Sequence, residues 1–170
     1  INPHKWMFTP MDLSVYFTRK PDILKRAFSL SAEYLKTNQD NEVDNLMDYG
    51  IQLGRRFRSL KLWFIIRYFG VYGLAERIKN HIKLAQEFKD WIDSEKDFEL
   101  MAPTPFSTVC FRFNPRNLSE DKLNKVNEDL LEKINQSGKI FLSHTKLNDK
   151  FVIRLTIGSI RHEKRHVEDA

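Results

Sequence analysis

Apolar residues recur at helical spacing through the middle of the chain. They are dense over residues 55–69, and after Gly70 they continue with a period close to 3.6 at Leu74, Ile78, Ile82, Ala85, Phe88 and Trp91. The pattern predicts one helix over residues 55–69, so rich in apolar side chains that much of it should be buried. It also predicts a break over residues 70–73 and a second helix over residues 74–93, whose apolar stripe faces the core.

The first 50 residues show shorter and weaker patterns. Residues 7–8 and 13–17 are typical of two short strands around a turn at residues 9–12, which would place Lys5 at the entry of a hairpin. Pro21 and Asp22 favour the start of a short helix that runs to about Phe28. Residues 29–48 are polar and predict a long loop, a feature that is often functional in compact proteins.

The pattern changes near residue 95. Strands are predicted over residues 98–101 and 106–113, followed by an amphipathic helix that begins at the N-cap Ser119 and ends at Gly138. A hairpin over residues 140–145 and 151–157 turns at Asn148 and Asp149, and the chain is helical again from Arg161. This β-β-α-β-β-α order predicts an α+β domain on a small antiparallel sheet over residues 95–170.

Composition narrows the class of protein. The 170 residues are 41% hydrophobic and include 13 Phe, which supports a packed core and argues against disorder. The net charge is +5, but Lys and Arg are spread along the chain, so the charge favours no partner. The single cysteine, Cys110, excludes an internal disulfide and a CxxC metal site. The longest apolar run, residues 62–66, is too short to span a bilayer and no signal peptide is evident, so we expect a cytoplasmic protein without a membrane partner.

The segment Asn2-Pro3-His4-Lys5-Trp6 carries the candidate chemistry, because an amine nucleophile is what captures an aldehyde cofactor. It resembles the cofactor-lysine segment of the group II pyridoxal-phosphate-dependent amino-acid decarboxylases. Further blocks resemble the same family in the same order: residues 32–35, 53–63, 151–155 and 166–167. The resemblance implies an α/β fold of the pyridoxal-phosphate-dependent transferase type (fold type I). The chain would supply the tail of the large domain over residues 1–94 and the small domain over residues 95–170.

The resemblance also implies roles for single residues. Lys5 corresponds to the Schiff-base lysine and His4 to the histidine beside the cofactor phosphate, whereas Asn2 and Trp6 would only shape the turn. Tyr34 corresponds to the loop tyrosine that gives a proton to Cα, where a Phe is the pattern of aldehyde-forming relatives. Gly54 would approach the substrate side chain from the neighbouring subunit and leave room for an aromatic ring. Arg154 would lie near the mouth of the site or pair with an acid; we favour the structural role.

The predicted function is therefore decarboxylation of an aromatic L-amino acid (tyrosine-, dopa- or tryptophan-like) to the amine and CO2, with pyridoxal 5'-phosphate as cofactor and no metal. We expect a homodimer with a shared active site. The family's phosphate-binding loop and pyridine-nitrogen aspartate lie upstream, so this C-terminal portion alone should be inactive. Two alternatives stay open: a catalytically inactive paralogue, which retention of Lys5 and Tyr34 argues against, and a basic nucleic-acid-binding module, which is disfavoured because the aromatic residues lie on apolar stripes.

Overall fold

The computed structural model describes residues 1–29 and 43–169. The first part of the chain contains helix α1 (Pro3–Trp6), helix α2 (Pro21–Phe28) and a 3₁₀ turn at Leu46–Tyr49. A long helix, α3 (Ser59–Ser94), connects this part to the sheet. The predicted strands at residues 7–8 and 13–17 are wrong, because Pro3 opens a helical turn that carries Lys5 and the backbone that follows is irregular.

The second part is the predicted antiparallel sheet with its helices. Strands β1 (Phe98–Leu100) and β2 (Thr108–Phe113) precede helix α4 (Glu120–Gln136), and strands β3 (Ser143–Leu147) and β4 (Lys150–Thr156) precede helix α5 (Lys164–Glu168). The strand order is β1-β2-β4-β3 and every neighbouring pair is antiparallel. The predicted order of elements is confirmed, although the final helix begins at Lys164 rather than Arg161.

One face of this sheet forms the core. Val109 and Phe111 of β2 pair with Leu155 and Ile153 of β4, and all four side chains are buried. They pack in one cluster with residues of two helices: Leu84, Ala85, Phe88 and Ile92 of α3, and Leu131 of α4. The sheet therefore has both helices on the same side, in two layers.

Local signals fix the ends of α4 and the hairpin. Ser119 occupies the N-cap position of α4 without a side-chain capping hydrogen bond, and Gly138, just after the helix, has a φ of +70° that favours glycine. Asn148 and Asp149 both have positive φ (50° and 62°), the backbone of a type I′ turn, which matches the twist of a two-residue hairpin. These predictions are confirmed because each depends on a few neighbouring residues.

A buried arginine joins the sheet to the start of α4. Arg112 is 3% exposed, and its guanidinium donates to the carboxylates of Glu99 and Glu120. Partial burial raises the pKa of Glu99, but hydrogen bonds from Arg112 and Asn114 outweigh it and hold that pKa below the ordinary value.

Helix α3 changes character at Gly70, whose φ of 64° and ψ of 179° interrupt the helical backbone. Every buried residue of α3 lies after this glycine. The buried face includes His81, Leu84 and Ile92 in addition to three predicted positions, whereas the predicted core residue Trp91 is 47% exposed.

Before Gly70 the helix exposes large side chains, which we call the apolar surface of α3: Leu60, Trp63, Phe64, Ile66 and Tyr68. The prediction that much of this helix is buried is wrong for this chain by itself, since Trp63 is 53% and Tyr68 82% exposed. The helix also begins at Ser59 rather than Arg55. Within residues 1–29 and 43–169, no helix is long and apolar enough to cross a membrane.

Candidate active site

Lys5 lies at the centre of a short, well-anchored turn. Pro3, the first residue of α1, is buried, and the backbone N–H of Lys5 donates to the carbonyl of Asn2 at 3.0 Å. The Lys5 side chain is exposed, and no described residue accepts a hydrogen bond from its Nζ or forms an ion pair with it. The amine is therefore accessible for covalent chemistry.

His4 anchors one side of this turn. Its Nδ1 lies 3.1 Å from the backbone nitrogen of Leu13 and 2.5 Å from the carbonyl oxygen of the same residue. Next to this contact, the Ser14 hydroxyl donates to Oδ1 of Asn2 at 2.6 Å. The turn is thus tied to residues 13–14, and the His4 ring is held beside Lys5.

Trp6 anchors the other side. Its indole Nε1–H donates to Nδ1 of His81 at 3.1 Å, and its ring meets Phe106 edge to face with centroids 6.0 Å apart. The expectation that Trp6 shapes the turn agrees with these contacts. His81 itself was missed by the sequence analysis, although a histidine at position 81 lies on the same helical face as Leu74 and Phe88.

The turn is also linked to the segment that contains Gly54. Asp12 accepts from Nε of Arg58 at 3.2 Å, which lowers the pKa of that carboxyl, and Nζ of Lys61 donates to the carbonyl of Pro10 at 2.8 Å. The start of α3, a few residues after Gly54, therefore lies against the chain that follows Lys5. A Cβ at Gly54 would meet no described atom within 4 Å, and its φ lies outside the left-handed region.

Of the two remaining predicted site residues, only Arg154 lies in the described part of the chain, and it is not brought to this turn. Tyr34 lies outside the described residues. Arg154 is half-buried in the middle of β4, opposite Cys110 and Ser143, and has no ion pair within the described part of the chain. A cavity of about 410 Å³ between α3 and α5, lined by Phe88, Trp91 and Lys164 among others, has none of the predicted site residues in its wall. No group of three metal-ligating side chains occurs over residues 1–29 and 43–169.

Comparison with known proteins adds a family to this geometry. The family model described as the pyridoxal-dependent decarboxylase conserved domain matches residues 1–114. Phenylacetaldehyde synthase of Arabidopsis thaliana is 44% identical over 172 residues, covering all of this chain and 35% of the relative. Tyrosine decarboxylase 2 of Narcissus pseudonarcissus is 43% identical, again over the whole chain and 34% of the relative.

Solved structures agree with this fold. Oryza sativa TDC, solved with PLP and tryptamine, matches with a TM-score of 0.93 and 34% identity, covering 99% of this chain and 36% of that one. Catharanthus roseus tryptophan decarboxylase in complex with L-tryptophan matches with a TM-score of 0.85 and 34% identity, covering 99% of this chain and 33% of that one. The chain thus spans about a third of the length of the relatives it matches. The predicted fold type I class, with this chain as a fragment of it, is confirmed.

Proposed function

Because the chain belongs to the pyridoxal-dependent decarboxylase family, we propose that the complete protein removes the carboxyl group of an aromatic L-amino acid, releasing the amine and CO2. The observation that carries this proposal is the Lys5 amine, which is exposed and unpaired among the described residues, on a turn anchored through His4 and Trp6. Such an amine suits covalent attachment of an aldehyde cofactor.

The residues around Lys5 fit pyridoxal 5'-phosphate. The cofactor, when bound, supplies a conjugated ring that accepts the electrons of the broken Cα–carboxylate bond. Lys5 would hold it through its Nζ and yield that place to the substrate amine. His4, fixed against Leu13, would present its ring next to the same site. Groups beyond this chain would complete the site, so we expect residues 1–170 to be inactive alone.

In this proposal, Tyr34 determines whether the product is the amine or the aldehyde. After CO2 leaves, a proton must be delivered to Cα, and a phenol in a closed, dry site is suited to that task. A relative at 44% identity is an aldehyde synthase by name, which makes the aldehyde the second candidate product. That route consumes O2 and water and releases ammonia and hydrogen peroxide with the aldehyde and CO2. The tyrosine at position 34 favours the amine.

Gly54 supports an aromatic substrate. Its position is open among the described residues and its backbone does not require glycine. We propose that the aromatic side chain of a substrate lies next to it in the complete protein. One structural relative was solved with L-tryptophan, and named relatives include tyrosine and tryptophan decarboxylases. Arg154 has no assigned part in this chemistry and stays a prediction.

We also propose that the protein is a homodimer. The apolar surface of α3 exposes five large side chains in this chain by itself, and contact with a second subunit would cover it. In this arrangement Gly54 of one subunit approaches the active site of the other. Light scattering should find a dimer, whereas a stable monomer with full activity would refute the shared site.

The experiment for Lys5 uses the complete protein with pyridoxal phosphate. Borohydride reduction followed by peptide mapping should place a pyridoxyl group on Lys5. Lys5→Ala should remove both the label and amine production, while Lys20→Ala, a change at another exposed lysine, should leave both intact. Label on a different lysine, or none in folded protein, would reject the proposal.

Measurements of CO2 release and of nucleic-acid binding on the same protein decide among the alternatives. An inactive paralogue would take the label but release no CO2. A nucleic-acid-binding module would bind DNA or RNA with strong salt dependence and show no cofactor absorbance.

A further inference from the structure

His81 is a buried titratable side chain that the proposed chemistry does not use. It lies on α3 and is 3% exposed. Burial lowers its pKa first of all, and the nearby His162 and Arg77 lower it further, against a hydrogen bond with the backbone of Ser159. The ring is therefore neutral near pH 7.

The contacts of His81 fix which nitrogen carries its proton. Trp6 donates to Nδ1 at 3.1 Å, so Nδ1 is the acceptor and the proton lies on Nε2. The edge-to-face contact with Phe8, with ring centroids 5.7 Å apart, holds the plane of the ring. A neutral imidazole with one defined tautomer thus connects α3 to Trp6 and Phe8, which follow Lys5 in the chain.

A third segment closes this cluster. The His162 ring lies 6.2 Å from the His81 ring, and Nδ1 of His162 accepts from the backbone N–H groups of Gly158 and Ser159 at 3.1 Å each. The loop after β4 is therefore shaped around the same pair of histidines. Three parts of the chain that are distant in sequence meet at His81.

We infer that His81 is a positioning residue, which sets the orientation of the Lys5 turn through its hydrogen bond from Trp6 and joins that turn to the loop after β4. The inference rests on the proposed function of Lys5. Helix α1 has only four residues, too few to be stable by itself, so tertiary contacts must fix its direction. A displacement of the attacking group by about 1 Å can lower a rate by about 10²-fold.

The test compares variants of the complete protein. His81→Leu removes the acceptor with little change in volume, Trp6→Phe removes the donor, and His81→Asn keeps an amide oxygen close to the place of Nδ1. His144→Leu is the matched control, since that histidine is exposed and, within the described part of the chain, stacks on Phe151 alone. We expect His81→Leu and Trp6→Phe each to lower kcat by about 10- to 100-fold, with KM within about 3-fold.

Three further outcomes separate positioning from general damage. The His81→Asn variant should recover most of kcat, and His144→Leu should behave as wild type. The double variant that combines His81→Leu with Trp6→Phe should have a kcat no lower than that of the poorer single variant. In the cofactor-free protein, hydrogen exchange of the peptide spanning residues 3–9 should speed up in His81→Leu and Trp6→Phe but not in His81→Asn. Wild-type kcat and exchange in Trp6→Phe, or additive losses in the double variant, would overturn the inference, even if His81→Leu fails to fold.

Failure of the inference is distinct from failure of the proposed function. No pyridoxyl label on Lys5 in the wild-type protein rejects the function, and the exchange measurement still decides whether His81 holds the turn. Label on Lys5 together with unchanged variants rejects the role of His81 alone.

Discussion

Replacing Asn127 by alanine should weaken the attachment of α4 to the sheet by about 2–4 kcal/mol. This side chain is 0% exposed and makes three hydrogen bonds. Its Oδ1 accepts from the backbone N–H of Phe113 at 2.8 Å, and its Nδ2 donates to the carbonyls of Phe113 at 2.8 Å and Leu123 at 2.9 Å. The Asn127 side chain therefore joins the last residue of β2 to helix α4 by hydrogen bonds.

The magnitude follows from what the substitution leaves behind. The carbonyl of Leu123 keeps its ordinary bond within the helix, so its loss is small. The N–H and the carbonyl of Phe113 both lose a partner, and each unsatisfied group costs about 1–3 kcal/mol. Phe113 is only half-buried, so water relieves part of this cost and the total stays near the lower half of the sum.

Hydrogen–deuterium exchange of the complete protein can measure this loss locally. A change of 2–4 kcal/mol should speed exchange of peptides from β2 and α4 by roughly 30- to 1,000-fold where opening limits exchange. Asn124, one turn earlier on α4, makes two bonds to the backbone at a more exposed place, so Asn124→Ala should have a smaller effect. Gln136→Ala removes only an exposed bond to Glu132 and should change nothing measurable.

The critical result is the ranking of these three variants by how much each speeds hydrogen–deuterium exchange. Equal exchange in Asn127→Ala and Gln136→Ala would show that solvent replaces the buried bonds without cost, and would refute the reasoning. An effect of Asn124→Ala larger than that of Asn127→Ala would place the main attachment at the hairpin instead.

Four further predictions concern single positions. Tyr34→Phe should spare cofactor binding but cut amine release about 10²–10⁴-fold and raise aldehyde, measured by product chromatography; unchanged amine would assign the proton to another group. Gly54→Ser should disfavour aromatic substrates relative to histidine by about 1–3 kcal/mol in kcat/KM, and an unchanged profile would contradict the pocket role. Arg112→Met should make the free energy of unfolding in urea less dependent on pH in the acid range. Its carboxylate partner in β1 has a lowered pKa, so this ion pair stabilises the fold above pH 4.5 and the stabilisation is lost as pH falls below 4.5 through the folded-state pKa. Gly70→Ala should cost about 1–3 kcal/mol in thermal unfolding because of its positive φ, whereas Gly73→Ala, with ordinary helical space, should be neutral or stabilising.

The sequence predicts those elements whose causes are local. Ser119 and Gly138 mark the ends of α4, and Asn148-Asp149 marks the hairpin, because caps and tight turns depend on neighbouring residues. The Lys5 turn was predicted as a hairpin because Met7 and Phe8 have strand propensity, but a strand needs a partner and the described chain offers none there.

Long-range contacts are what the sequence does not predict. Trp6 and His81 are 75 positions apart, and neither residue carries a signal that names the other. The dense apolar residues before Gly70 indicate that a surface is covered, yet not whether this chain covers it. The prediction of Lys5 and His4 as site residues rests on a motif, whereas the anchors of their turn are seen only in the structure.

Near Gly70, helix α3 changes from exposed apolar side chains to a buried face, and this change suggests where the chain can be shortened for expression. A shortened chain that starts at Gly73 keeps every α3 residue of the sheet core, from Leu74 to Ile92, and omits all large exposed side chains from Leu60 to Tyr72. We expect such a chain to express in monodisperse form, while longer ones that include residues 59–69 without their natural covering precipitate. The interruption at Gly70 thus lies close to the place to cut for solution spectroscopy, 28 residues before Phe98, where the sheet itself begins.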